Sequence, residues 1–282
     1  MALRQDPAPT GLAGGADGAG GDLLLTPGAE GEAVPPGIGP YRLAGRRLRR
    51  NKVALAFGAL FLIVVILCLL APVYGSDIAH TGPNDNHITE VIKVNGKSTD
   101  VVSPTGIPVG PTWHSKFFFG ADANGRDIAV RLLYGGRNSL EIGLGATLIT
   151  MVIATIVGTL AGFYRGWADT IISRLLDLIW AFPALLLGVA LGVSLALGGI
   201  SIGPINLKGS SNWVPALIIG VVYIPYIARP IRGQVLGLRE REYIDAARTL
   251  GSGSTRIMFS EVLPNLSATL VVFVALQLAQ SI

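Results

Sequence analysis

Long apolar runs broken by short polar segments set the pattern of this chain. The first uncharged run, Val53 to Tyr74, is close to the ~20 residues that a helix needs to cross ~30 Å of hydrocarbon. Four more runs follow: Ser139 to Phe163, Leu178 to Leu197, Trp213 to Ile227, and Leu266 to Ile282, the last two marginal in length. Each predicts a membrane-spanning helix, so the fold class is an all-α polytopic bundle. Trp213 opens the fourth run as an interfacial anchor would, and Pro215 and Pro225 inside it predict kinks. Pro183 lies near the start of the third run. Just before it, Arg174 and Asp177 stand three apart on one helical face, where they can pair.

The polar segments carry structure of their own. Between Val91 and Pro111, Asn-Gly, Ser-Pro-Thr-Gly and Pro-Val-Gly-Pro read as turns joining short strands. From Arg126, the pattern Ile128, Leu132, Leu133 against Arg131 and Arg137 predicts an amphipathic helix lying on the membrane surface before the second span. The stretch Arg239 to Asn265 is charged but strongly patterned. Tyr243, Ala246, Ala247 and Leu250 share one helical face, and Gly251 is placed to supply a left-handed C-cap. Ser254 can cap a second short helix, and Pro264 suits the first turn of the next span. Two readings of this stretch stand side by side. Its paired alanines, flanked by Asp245 and Arg248, make a shallow surface that can seat in another protein's groove. Equally, it can be a solvated connector held by arginine contacts to lipid headgroups.

Composition agrees with a membrane solvent. Half the residues are hydrophobic, 14% are charged and mean hydropathy is +0.55, too little polar surface to cover a soluble core of 282 residues. Much of the glycine, 37 residues, falls inside apolar runs, where a soluble helix would lose roughly 1 kcal/mol per Gly relative to Ala. Bilayer helices tolerate it through close contacts. The net charge of +4 does not signal nucleic acid, because the arginines flank apolar runs rather than forming one basic, aromatic-laced patch. Cys68 is the only cysteine and lies in an apolar run, which excludes an intrachain disulfide framework and a cysteine metal site.

Residues 1–40, with ten Gly and six Pro, read as a disordered cytoplasmic tail. No signal peptide is read there, since the first apolar run begins some fifty residues in. Residues 41–74 are a basic lead-in (Arg42, Arg46, Arg47, Arg49, Arg50, Lys52) and the first span. An extracytoplasmic segment fills 75–137, and 138–282 form the transmembrane core with a cytoplasmic loop at 239–264. This orientation follows from Lys and Arg near span ends. It puts the tail, the link Tyr164 to Asp177 and the stretch Arg229 to Arg256 inside, and leaves only Lys208 in the outer segment Gly198 to Asn212. Arg126, Arg131 and Arg137 run against it.

Other chemistry is weak. Asp122, Asn124 and Asp127 hint at a calcium loop, but Arg126 occupies a ligand position and the distal Glu is missing, so a turn and helix cap is the better reading. His80, His87 and His114 lack metal spacing, and there is no phosphate-binding GxxxxGK[ST], so no metal or ATP site is read in this chain. Glu141 and Asp177 lie near span ends, where a transport role and an interfacial role weigh equally. The Gly-x-x-x-Gly pairs Gly158/Gly162, Gly188/Gly192 and Gly233/Gly237 are too expected in a glycine-rich chain to mark an interface by themselves.

Three separate motifs carry a resemblance. Asp245, Ala246, Ala247, Gly251 and then Val262, Leu263, Pro264, Asn265 resemble the "EAA" coupling loop of binding-protein-dependent ABC importer permeases. Phe119, Gly120, Ala121, Asp122 with Gly125, Arg126, Asp127, Arg131, Tyr134, Gly135, Ser139 and Leu140 are similar to the FGTD..GRD...R..YG...SL pattern of the dipeptide/oligopeptide subfamily. Arg47 to Lys52 resembles the RR..RNK lead-in of its C-type subunit. Asp245 stands for the usual Glu and Ala121 for the usual Thr.

The resemblance covers roughly 41–282 and implies a type I permease fold in a bacterial plasma membrane, not an enzyme. It implies a second permease, two cytoplasmic ATPase subunits that bind ATP and Mg, and an extracytoplasmic substrate-binding protein. Tyr243, Asp245, Ala246, Ala247, Gly251, Leu263 and Pro264 would then form the ATPase contact, and the cargo would be di- or oligopeptides. Nickel or a haem-like cargo, or an ATPase-independent carrier or anchor, are the alternatives. Family members have six spans, so a sixth, returning the C-terminus to the cytoplasm, is expected beyond Ile282; a natural five-span protein is the other reading.

Overall fold

The computed structural model describes residues 45, 48–94, 96–202 and 205–282. The expected tail at 1–40 and the basic residues Arg42, Arg46 and Arg47 lie outside the described residues. The chain divides into two compact units, Met1–Ala56 and Phe57–Ile282. Helix α1 (Lys52–Leu69) begins in the first and has Phe57–Leu69 in the second; Asn51 caps it, its Oδ1 accepting from the Ala54 N–H at 3.1 Å. α1 is apolar around its whole circumference, the mark of a helix solvated by lipid rather than half by water. Only Cys68 near its end is buried.

The second unit is organised on α2 (Ile128–Tyr164), 37 residues and roughly 55 Å long at ~1.5 Å per residue. The surface helix expected from Arg126 and the second span are therefore one continuous helix. Nothing between Arg131 and Ser139 breaks the backbone ladder, and Gly136 makes room for Cys68, whose Sγ would lie 2.5 Å from an added Cβ. The link expected at Tyr164 to Asp177 is helical over most of its length. Arg165 alone, with φ of 56°, joins α2 to α3 (Gly166–Trp180). α3 and α4 (Ala184–Gly198) meet at 81° across Pro183. α5 (Trp213–Val222) and α6 (Ile224–Arg239) meet at 43°. Of the two kinks expected here, Pro225 in the first turn of α6 adjoins the bend and Pro215 in the first turn of α5 makes none. A short helix α7 (Glu242–Thr249) leads to α8 (Ser254–Ser281), which widens into a π-helical turn at Met258–Val262 just ahead of Pro264. Ser254 caps nothing; the N-cap position is Gly253. α1, α2 and α8 are each long and apolar enough to cross a membrane, and the bent pairs α3–α4 and α5–α6 raise the number of spans to five.

Two hairpins decorate the helices. Strands β1 (Val91–Val94) and β2 (Lys97–Asp100) pair antiparallel with Val91 opposite Asp100, where the turn signals placed them. Strands β3 (Ile200–Ile202) and β4 (Ile205–Leu207) do the same between α4 and α5.

The core lies where α2, α6 and α8 cross. Met151, Ala154, Phe163, Ile227, Ala228, Ile231, Val235, Val262 and Leu266 fill it. Gly158 and Gly162 let α6 come close: a Cβ on them would lie 2.7 Å from the Ala228 carbonyl and 2.8 Å from that of Arg232. Gly188/Gly192 and Gly233/Gly237 have nothing within 4 Å. The Thr150 hydroxyl donates to the Gly220 carbonyl at 2.8 Å, tying α2 to α5. Arg229 and Arg232 lie on α6, where acids on α3 neutralise them. Arg229 pairs with Asp177 (2.6 Å) and Arg232 with Asp169 (2.5 Å). The expected Arg174–Asp177 pair does not form, since Asp177 is taken by Arg229.

Candidate functional site

The two motif regions sit at opposite ends of α2. At its N-terminus, Asp127 is fully buried and is the N-cap. Its Oδ1 accepts from the N–H groups of Ala129 (2.8 Å) and Val130 (3.2 Å), and its Oδ2 from the N–H of Phe117 (2.6 Å). One carboxylate thus holds both the helix start and the aromatic strap Phe117–Phe119. Asp122 closes the preceding turn, accepting from the N–H groups of Asn124 and Arg126 (2.9 Å each) and from the Arg126 guanidinium (2.8 Å). Partial burial pushes the Asp122 carboxyl up, but these hydrogen bonds and the Arg126 charge outweigh it and hold the group below the usual carboxylate range. Gly120 and Gly125 have φ of 90° and 69°, and a Cβ would fall 2.6 Å from the Val109 carbonyl oxygen or the Ile88 nitrogen. Turn and cap account for Gly120, Asp122, Gly125, Arg126 and Asp127, and among the described residues no cluster suits a metal ion.

At the other end, α7 projects from a corner tied down by basic side chains. The Arg239 guanidinium donates to the Phe163 carbonyl, and Arg165 pairs with Glu240. Ile244 is fully buried and Ala247 packs beside it against the main core, so this side of α7 is its seat. The face expected from Tyr243, Ala246, Ala247 and Leu250 is therefore split. Ala247 turns partly inward, while Tyr243, Ala246 and Leu250 stay uncovered, Leu250 at 86% exposure. Asp245, 65% exposed, is bonded only to Arg248 one turn on (3.0 Å). Gly251 has φ of 82° and ends the helix with two bonds: its own N–H to the Arg248 carbonyl and that of Ser252 to the Ala247 carbonyl. Leu263 and Pro264 belong to α8, after the π-helical turn, and Pro264 is exposed.

Ile244 was not singled out by the sequence, although its place between Tyr243 and Asp245 in an otherwise polar helix is a usable signal. The ion pairs Arg232–Asp169 and Arg165–Glu240, 63 and 75 residues apart, had no local signal at all.

Residues 154–282 match the family described as binding-protein-dependent transport system inner membrane component, and residues 39–88 match the N-terminal TM domain of oligopeptide transport permease C. The dipeptide transport system permease protein DppC of Alkalihalophilus pseudofirmus is 30% identical over 255 residues, 88% of this chain and 71% of its own. The glutathione transport system permease protein GsiD of Pectobacterium atrosepticum is 33% identical over 243 residues, 86% of this chain and 69% of its own. The oligopeptide transport system permease protein OppC of Bacillus subtilis is 29% identical over 236 residues, 84% and 66% of the two chains. Permeases of such importers act with a partner permease, ATPases and a substrate-binding protein, and ATP hydrolysis belongs to the separate ATPase subunits. A multi-pass helical architecture, a seated helix with an uncovered outer face, and these matches agree: the chain belongs to the inner-membrane permease components of binding-protein-dependent ABC importers, as a C-type subunit of the dipeptide/oligopeptide kind.

Proposed function

We propose that this chain forms half of the translocation path for di- or oligopeptides across a bacterial inner membrane, with its N-terminus in the cytoplasm. On this reading the corner 239–264 receives work from a cytoplasmic ATPase, which holds the ATP and Mg, and the end of α2 at Asp127 faces the binding protein. One observation carries the assignment. Tyr243, Ala246 and Leu250 stand uncovered on a helix whose opposite side is fixed by Ile244. An apolar face held rigidly in the open is what a partner's groove requires. Arg239, Arg241, Arg248 and Arg256 at this corner, with Arg49 and Arg50 ahead of α1 and Lys52 at its start, favour the cytoplasmic side. Relatives named for dipeptide, glutathione and oligopeptide transport support a short peptide as cargo.

The test is Ala246→Arg in the complete importer. The variant is expected to insert at normal level, to lose co-purification of the ATPase subunits and to abolish uptake of a tripeptide. Unchanged association and uptake would remove the coupling role from this helix.

A further inference from the structure

A line of polar and aromatic side chains in the transmembrane unit belongs to neither region so far described. The Asp177 carboxylate accepts from Arg229 at 2.6 Å, and the Arg229 guanidinium lies 3.5 Å from the centre of the Trp180 ring. Trp180 meets Tyr226 edge-on at 5.8 Å, and Tyr226 meets Tyr223 at 5.4 Å. The line ends in a cleft of ≈ 200 Å³ in the bend between α5 and α6, lined by Tyr223, Tyr226, Ile227, Leu276, Gln277 and Gln280. The bend follows the 10 residues of α5, so it lies roughly 15 Å beyond Trp213, about half of a ~30 Å hydrocarbon core.

Hydrocarbon is a poor neighbour for this face. A half-exposed ion pair, the phenols of Tyr223 and Tyr226 and the exposed carboxamide of Gln280 would lose water there, whereas Gln277 is already buried and donates to the Ser281 hydroxyl at 3.0 Å. A closely packed helix is a poor neighbour too, because membrane helices approach through small residues and this stretch is concave and built of rings. Further along α6, Gly233 and Gly237 share the face of Tyr226 and have nothing within 4 Å, so the surface continues open beyond Arg229. Water is the neighbour that remains.

We infer that this face, from the Asp177–Arg229 pair through Trp180 and Tyr226 to Gln280, is the chain's wall of the translocation path and that it holds the secondary amides of a peptide backbone. The inference rests on the peptide reading above. Phenol and carboxamide groups are neutral and both donate and accept, so they complement the N–H and C=O of any peptide bond whatever side chain it carries. The rings offer apolar faces to those side chains. The ion pair is internally neutralised and attracts neither terminus.

The experiment uses the complete importer with Cys68→Ala in this chain, bearing either Tyr226→Cys or Gln280→Cys, and a charged, membrane-impermeant methanethiosulfonate. Both cysteines are expected to react on the order of tenfold faster than Leu186→Cys on the exposed face of α4, because only a wetted thiol ionises. Trialanine supplied with the binding protein is expected to slow both reactions. Gln280→Leu should lower the kcat/KM of trialanine uptake about fivefold, the loss of one neutral hydrogen bond, and Gln280→Asn should recover part of it. Reaction no faster than at Leu186→Cys, or oxidative cross-linking of these cysteines to the partner permease, would place the face against lipid or protein and overturn the inference. If trialanine is taken up but does not slow labelling, the peptide reading stands and this inference is wrong. If the unaltered importer does not take up trialanine at all, the peptide reading fails and the amide recognition with it.

Discussion

Asp127 and Asp245 are both acidic members of family-like motifs, and they lie at opposite ends of α2 in opposite circumstances. Asp127 is fully buried and gives its oxygens to three N–H groups of its own chain. Asp245 is 65% exposed and touches only Arg248. The first region satisfies its polar groups internally, so its motif describes a fold. The second leaves an apolar and charged face unmatched while anchoring itself from behind, so its motif describes a surface, the one proposed above to receive the ATPase. Likeness to a family does not distinguish these cases; counting hydrogen bonds and burial does.

Substitutions can break this contrast, and their expected effects on the stability of the chain fall in order. Asp127→Ala orphans three buried N–H groups and should cost roughly 3–5 kcal/mol, read as a large fall in the thermal midpoint of the purified importer. Gly125→Ala, forced to a φ of 69° with its Cβ against Ile88, should cost about 2 kcal/mol by the same measurement. Acid should act more gently, through Asp122. Its carboxyl titrates lower folded than unfolded, so its contribution is whole above the unfolded value of about 4 and is lost as pH falls through the folded one. Fluorescence of Trp113 should therefore hold steady down to about pH 4 and change below it, and Asp122→Asn should remove that change. Ala246→Arg should shift the thermal midpoint of the isolated chain by no more than ~0.5 kcal/mol equivalent while uncoupling it from its ATPase. A large destabilisation there would make α7 a structural element like the Asp127 turn and erase the contrast.

Much of the local structure was legible because its causes are local. The hairpin of β1 and β2, the cap at Asp127 and the left-handed Gly251 each follow from residues within one or two turns. The spans were legible in number but not in extent. An apolar run reports where lipid can be tolerated, whereas a helix runs as far as its charges are matched. Thus α6 carries Arg229 and Arg232 because Asp177 and Asp169 wait on α3, pairs that no window along the chain contains. The single-residue corner at Arg165 was missed for a related reason: its guanidinium is held by Glu240, a distant residue. In α7, periodicity grouped Tyr243, Ala246, Ala247 and Leu250 on one face but could not assign the inside of the helix. Ile244, the residue that does so, is one apolar position in a polar stretch.

The widened turn at Met258–Val262 holds one residue more than an α-helical turn would. Tightening it to ordinary pitch would swing everything upstream by about 100° around the axis of α8 and slide it by about 1.5 Å. Ile244 and Ile257 both reach into the same packed interior, and neither can follow such a screw motion without leaving its socket. A push on α7 therefore travels into the bundle as displacement of a stiff body rather than being absorbed as slack in the joint.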